Sequence, residues 1–296
     1  MVLMKVAPVA FQVVLEAADL QRWPVPAWAR SVVQRANGAP GADAEETWID
    51  TQDLDRLYRA LMASSGRPDL GLLLGSSPAV VRYGSLPSLI MNAPNLQGII
   101  EVIIRYAALA QERSEVSLEI AQPCSTLYVD PIGCTPEGRR CRLEFILVGL
   151  TMIWRLAGGG DTGIERVCLP YDRPEHAAAY PALLDGELVF GAPRAALVFR
   201  SDMLGRCLPG ADPVMFESLR LRADQALASL WTRRGCVEAL TRVLETCLHE
   251  RPRMADVAAR MHLHERTLRH QLRQQGRAYN DVLVQVEGVT PLFAHS

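Results

Sequence analysis

Arg266, Arg269 and Arg273 stand at i, i+3 and i+7 within the run RPRMADVAARMHLHERTLRHQLRQQ, residues 251–275. On a helix that spacing places three guanidinium groups on one stripe. A guanidinium donates bidentately to a guanine edge or to phosphate oxygens. Thr267, His270, Gln271 and Gln274 flank the stripe, and glutamine matches an adenine edge. Arg251, Arg253, Arg260 and Arg277 add positive charge around the same segment, against Asp256 and Glu265. Such a stripe is suited to gripping double-stranded DNA rather than to making or breaking bonds. Spacing alone leaves a second reading open, in which the arginines are the solvated face of an amphipathic helix.

The elements that must position this stripe follow from the apolar residues. Met254, Val257, Ala258 and Met261 share a face and predict a helix over 254–261. Ala258 and Ala259 are small where a second helix has to cross. Leu263, in a turn from Met261 to His264, is placed to plug the angle between helices. The second helix is expected over 265–274, with Leu268 and Leu272 inward. A preceding helix over 236–248 carries Val237, Leu240, Val243, Leu244 and Leu248 as the stripe that packs against both.

This segment resembles the first helix-turn-helix of the AraC/XylS family of bacterial transcription regulators. The family pattern A-x-x-L-x-M-S-x-R-T-L-x-R-x-L, followed by Gly and an aromatic, is met by Ala258, Met261, Leu263, Arg266, Thr267, Leu268, Arg269, Leu272, Gly276 and Tyr279. The resemblance implies sequence-specific DNA binding through residues 265–274, by Arg266, Thr267, Arg269, His270, Arg273 and Gln274, with Arg253 beside them. Two positions depart from the pattern. His264 replaces the usual Ser at the helix cap, where a hydroxyl contributes about 1 kcal/mol. His270 replaces a common Arg and makes one contact dependent on pH. The family carries two such units joined by a long helix. Tyr279 to Glu287 starts that helix here, with Val282, Leu283 and Val286 on one face, before Pro291 and a tail without the pattern. The expectation is a chain that lacks the second unit, by truncation (a frameshift in the gene, for example) or as a natural short variant, with Leu283 and Val286 partly uncovered.

The chain as a whole has the composition of a globular protein. The chain has 296 residues, 49% hydrophobic, and a formal net charge of −2, so the basic segment is local. No apolar run reaches the roughly 18–20 residues of a membrane span, and there is no signal-peptide layout; a cytoplasmic protein is expected. Lys5 is the only lysine, which with the many alanines points to a GC-rich bacterial gene. The seven cysteines show no CxxC pairing and read as reduced, mostly buried thiols. Cys141, between Arg140 and Arg142, is the first candidate for an activated thiolate.

Along the chain, helices are expected over 11–18, 27–36, 51–64, 95–110 and 142–156, with an apolar turn over 68–75. Strands are expected over 116–121, 126–130, 164–169, 187–190 and 195–199, and a short helix over 174–180. Helices fill 216–232 and 236–248. The order argues an α+β N-terminal sensor domain with a mostly antiparallel sheet, then an all-α C-terminal domain. The expected boundaries are 1–205 for the sensor, 206–233 for a linker helix region, 234–288 for the DNA-binding unit and 289–296 for the tail. The N-terminal part also resembles the effector domain of AraC-type regulators labelled arabinose-binding. That rests on Leu70-Gly71-Leu72 with Gly75, Tyr83-Gly84, Tyr106, Pro170-Tyr171-Asp172-Arg173-Pro174 and Val189-Phe190-Gly191-Ala192. It implies a small-molecule effector, not arabinose in particular. Tyr83, Tyr106, Tyr128, Arg142 and Trp154 are the candidates to line its pocket, with core packing as the alternative for each.

Other chemistry finds little support. Gly158-Gly159-Gly160 lacks the Lys-Ser/Thr of a phosphate loop. Cys247, His249, His262 and His264 have loosely acceptable metal spacing, yet histidines at helix ends are commonly solvated. His176 lies near Tyr171 and Asp172 without a nucleophile. No residue set proposes a reaction, a metal or a cofactor. The expected protein is an effector-controlled DNA-binding regulator that is not an enzyme. It has DNA and a small molecule as partners, and a homodimer or heterodimer is open. The alternative is a modulator that dimerises with a full-length relative without binding DNA itself.

Overall fold

A computed structural model describes residues 5–36, 48–79, 86–111, 115–158, 160–234, 236–247, 252–261 and 263–289. The chain divides into two bodies, Met1–Ala223 and Asp224–Ser296, and the boundary falls inside the expected linker helix.

The first body is organised by one helix. Helices α1 (Pro8–Leu20), α2 (Ala27–Ala36), α3 (Thr51–Ser65), α4 (Leu70–Gly75), α5 (Leu86–Met91) and α6 (Leu96–Arg105) precede strands β3 (Val116–Glu119) and β4 (Cys124–Val129). Short strands β1 (Lys5–Val6) and β2 (Ile49–Asp50) pair antiparallel near the start. Helix α7 (Pro136–Gly158) follows, then β5 (Ile164–Leu169), β6 (Glu187–Phe190) and β7 (Ala195–Arg200). Helix α7 lies between two apolar cores. Cys141 and Phe145 join the core of α1 to α4, while Leu143, Leu147, Val148, Leu150 and Trp154 join the core of α6 and the sheet. A helix used on two sides reads as apolar nearly all round, which is how α7 looks in sequence.

Helix α7 begins six residues before the expected start at Arg142. The Thr135 hydroxyl accepts the Gly138 N–H at 3.0 Å as a cap, Pro136 takes the first turn, and the Asp55 carboxylate accepts the N–H groups of Cys134 and Thr135. The polar run Glu137 to Arg140 disguised that first turn. Helix α3 matches its expected span, with Asp50 as the cap accepting the Gln52 N–H at 2.8 Å and Gly66 left-handed at φ 65° to end it. Three expectations need correction. The helix expected over 95–110 ends with α6 at Arg105, and Ala107–Leu109 form a separate 3₁₀ turn. Residues 70–75 form α4 rather than a turn, because Leu70, Leu72 and Leu74 are all buried. Residues 177–182 form a 3₁₀ helix rather than the expected helix over 174–180, since Pro174 and Pro181 deny α-helical hydrogen bonds.

The large sheet has the order β3-β4-β7-β5-β6. Three of its pairings are antiparallel and β5-β6 is parallel, so the sheet is mixed. The 3₁₀ helix is part of the crossover that a parallel pair requires.

The second body contains the end of α8 (Pro213–Arg234), then α9 (Cys236–Cys247), α10 (Met254–Arg260), α11 (Glu265–Gln274) and α12 (Tyr279–Val289). Helix α9 packs against α10, α11 and α12. Among the described residues no helix is long and apolar enough to cross a membrane.

Candidate functional site

In the second body, Val257, Ala258 and Met261 of the α10 segment and Leu268 and Leu272 of α11 are buried with Leu240 and Leu244 of α9. The turn between α10 and α11 is short: the Leu263 N–H reaches the Ala258 carbonyl at 2.8 Å. His264 caps α11 through its backbone alone, with no side-chain bond, as replacing a hydroxyl by imidazole implies. Carboxylates cap α10 and α12. Asp256 accepts the Arg253 N–H and Asp281 the Ala278 N–H, each at 3.0 Å. Gly276 sits at φ 65°, which lets the Arg277 N–H return to the Leu272 carbonyl and close α11. The Tyr279 hydroxyl donates to the Pro252 carbonyl at 2.7 Å and ties α12 to the entry of α10. The Gly and aromatic that follow the motif therefore hold the ends of the helix pair.

Burying Leu268 and Leu272 turns Arg266, Arg269, His270, Arg273 and Gln274 outward, all exposed, with Thr267 half-buried and Arg253 exposed at the start of α10. Arg269 pairs with Glu265 one turn earlier. Beside the stripe, Arg253, Arg269, Arg273 and Arg277 line a groove of about 500 Å³ floored by Leu272, Tyr279 and Leu283. Three sequence expectations change. Gln271 is 6% exposed and belongs to the inner face, one turn after Leu268. Ala259 is exposed and only Ala258 serves the crossing. Val286 is 3% exposed rather than uncovered, because α12 lies along α9. Arg251 and His262 fall outside the described residues, as does His249. Among the described residues no group of three or more His, Cys, Asp or Glu is placed to hold a metal ion.

In the first body, α5, α6, α7 and the residues Ala107, Ala110, Gln111, Glu115 and Val116 line a cavity of about 170 Å³. Among the described residues its wall is apolar except for Gln111, Glu115 and Arg142. Arg142 donates to Glu115 at 2.6 Å and to Gln111 at 2.9 Å, and Glu115 also accepts the Ile132 N–H at 2.7 Å. Of the effector candidates, Arg142 lines this cavity. Tyr106 is buried and donates to the Arg220 carbonyl at 3.3 Å. Tyr128 bonds Glu119 at 2.8 Å on a strand, under Arg194. Trp154 packs on Phe199 and borders a separate space of about 10 Å³. Tyr83 falls outside the described residues. Sequence reasoning missed Gln111 and Glu115, which lie in a charged run that reads as a loop. Cys141 is buried, and burial pushes its thiol well up, so Arg140 and Arg142 do not make it a thiolate.

A second buried polar cluster gathers the dispersed N-terminal motifs. The Tyr180 hydroxyl donates to Glu144 at 2.7 Å, His176 meets the same oxygen at 3.1 Å, and Tyr171 bonds Tyr180 at 3.0 Å. Gly71 and Gly75 let α4 lie directly on α7; an added Cβ on Gly71 would meet the Cys141 carbonyl and Glu144, and one on Gly75 would sit 2.6 Å from the Phe145 carbonyl. Gly191, at φ 71°, returns its N–H to Tyr171 at 3.0 Å, and Arg173 stacks on Phe190.

Residues 30–208 match the family model described as the arabinose-binding domain of AraC transcription regulator, N-term. The chain belongs to that family. It is also similar to the ornithine utilization regulator of Pseudomonas aeruginosa, 25% identical over 233 residues that span 78% of this chain and 68% of that protein. The crystal structure of the transcriptional regulator CdpR from Pseudomonas aeruginosa aligns with a TM-score of 0.54 over 94% of this chain and 82% of that one. At 17% identity that likeness speaks for the fold. The arabinose-binding-type domain thus covers α3 to β7, including the Glu144 cluster and the Arg142 cavity. Tyr83-Gly84, part of the sequence resemblance, lies outside the described residues.

Proposed function

We propose that this chain is an AraC-type transcription regulator that reads DNA with α11 and answers to a small molecule held in its arabinose-binding-type domain. One observation carries the reading: the burial of Leu268 and Leu272 presents Arg266, Arg269 and Arg273 together on the solvent side of one helix. Arg266, Thr267, Arg269, His270, Arg273 and Gln274 face the major groove, where arginine selects guanine and glutamine adenine. Arg253 and Arg277, on the groove beside them, meet the phosphate backbone and fix the register. Support comes from family membership and from relatives named as regulators.

The test is an anisotropy titration at low salt on duplexes from the DNA upstream of the neighbouring genes. A saturable, sequence-preferring signal that weakens on Arg269→Ala supports the reading. Equal weak affinity for every duplex, unchanged by Arg269→Ala, sinks it.

A further inference from the structure

The cavity beside α7 combines three properties. About 170 Å³ of apolar space, partly open to solvent, lies beside the helix. Among the described residues, and apart from Gln111, Glu115 and Arg142, the wall is built of groups such as Leu86, Ile90, Ile103, Phe145 and Ile153. Its charges are also already balanced. Arg142 and Glu115 are both buried and joined by a 2.6 Å bond, with Gln111 satisfying the guanidinium further. Met91, 42% exposed, belongs to the same wall and marks where it meets solvent.

From these features we infer that the cavity is the effector site, and that its ligand is an uncharged, largely apolar molecule of one ring or a short chain, bearing a single hydrogen-bonding group. The inference rests on the regulator reading and names the chemistry of its effector. Size follows from volume: an engineered apolar cavity of about 150 Å³ takes up benzene. Charge follows from the ion pair. A carboxylate entering here would lose its hydration and face Glu115, with Arg142, the only arginine on the wall among the described residues, already engaged by Glu115 and Gln111. An amine would meet the mirror problem with Arg142. A hydroxyl or carbonyl, by contrast, exchanges hydrogen bonds with the Gln111–Glu115–Arg142 edge at small desolvation cost.

The same wall is connected to the base of α8. Helix α5 supplies Leu86, Pro87, Ile90 and Met91, and the segment just after it holds the connector. The Asn92 carbonyl accepts the Asp212 N–H at 3.3 Å and the Pro94 carbonyl accepts the Leu208 N–H at 3.2 Å. Asp212 then caps α8 through the N–H groups of Val214 and Met215 at 3.0 and 2.9 Å. Ala107 lines the cavity beside Tyr106, whose hydroxyl reaches Arg220 on α8. A molecule that fills the cavity presses on both attachments of the helix that continues into the second body.

The experiment is thermal unfolding of the full chain with benzyl alcohol, cyclohexanol or benzoate as probes, alongside the DNA titration on the same preparation. The expected result is a rise in Tm of roughly 2–4 °C with either alcohol in excess and none with benzoate. Gly149→Leu, which fills the cavity from α7, abolishes the rise; Ala107→Leu does so from the opposite wall if the first variant fails to fold. The inference is overturned if benzoate stabilises as well as benzyl alcohol, if neither alcohol has an effect, or if the rise survives in a folded cavity-filling variant. DNA binding without any alcohol effect removes this inference and leaves the regulator reading standing. An alcohol effect without specific DNA binding does the reverse.

Discussion

Tyr180 donates its hydroxyl to Glu144 at 2.7 Å, with Glu144 only 1% exposed. The pair joins the 3₁₀ helix between β5 and β6 to the middle of α7, 36 residues away in sequence. His176 and Tyr171 complete the shell, and Gly71 allows α4 to close over the carboxylate. Glu144 is thus the point at which the separated motifs of the arabinose-binding-type domain meet.

Removing the hydroxyl by Tyr180→Phe takes one donor from a buried carboxylate. A loss of about 1.5–3 kcal/mol is expected, the range for hydrogen bonds to charged groups. Gly71→Ala forces a Cβ against the Cys141 carbonyl and should cost about 1–3 kcal/mol by overpacking. Urea unfolding of the three proteins measures both. A stable Gly71→Ala protein would mean that α4 does not sit on α7 as described.

Asp69 precedes α4 and is gripped by Arg67, through Nε at 2.8 Å and Nη2 at 2.7 Å. Those hydrogen bonds hold its carboxyl below the usual carboxylate range. A depressed folded value contributes stability that is present above the unfolded value of about 3.9 and is lost as pH falls through the folded one. The Tm gap between native and Asp69→Asn protein should therefore be open at neutral pH and close as pH falls below about 3.9. Because Arg67 is half exposed, the gap is small and shrinks in high salt. A gap that widens in acid contradicts the assignment.

The thiols separate by exposure. Cys207 is exposed, whereas burial raises the Cys141 thiol well above its ordinary value and pushes Cys236 up to about 11. A thiol-disulfide reagent at neutral pH should label Cys207 promptly in the native chain, and Cys141 and Cys236 only after denaturation. Prompt labelling of Cys141, read by peptide mass, would contradict the placement of α7.

Glu265 engages Arg269 within α11. Glu265→Gln releases that arginine and removes a negative charge from the proposed DNA face. DNA affinity should rise a few-fold at low salt, while stability falls by less than about 1 kcal/mol through loss of the surface pair and of a carboxylate at a helix N-terminus. Anisotropy and thermal unfolding check the two effects. Unchanged affinity would mean that Arg269 does not touch DNA.

How far the sequence spoke depends on what each element packs against. Helix α11 was legible to the residue because one face is leucine and the other arginine. Strands β5 and β6 were legible from their residue types. The parallel pairing of β5 and β6 was not, since pairing direction leaves little mark on a short strand. Helix α4 was read as a turn because six residues flanked by glycines give too short a period, and its helicity depends on packing against α7. Arg142 is among the residues the sequence offers for the pocket. Its partners Glu115 and Gln111 lie in a polar stretch that resembles a loop, and Glu144 is a single carboxylate in the apolar run of α7 whose partners Tyr180 and His176 are more than 30 residues away. Buried polar partners are chosen in three dimensions, so only one member of each pair stands out in one.

The most direct test of the central claim is the salt dependence of DNA binding by the native chain and by the Arg266→Ala/Arg269→Ala/Arg273→Ala triple variant. The measurement uses a preferred duplex and a scrambled one. The native chain should prefer its site, with each base contact contributing about 1–3 kcal/mol of discrimination, and its log affinity should fall linearly with log salt, by about 0.9 for each phosphate contact. The triple variant should lose the preference and flatten the slope while keeping its unfolding temperature. A triple variant that binds both duplexes as the native chain does, with the same slope, would contradict the account.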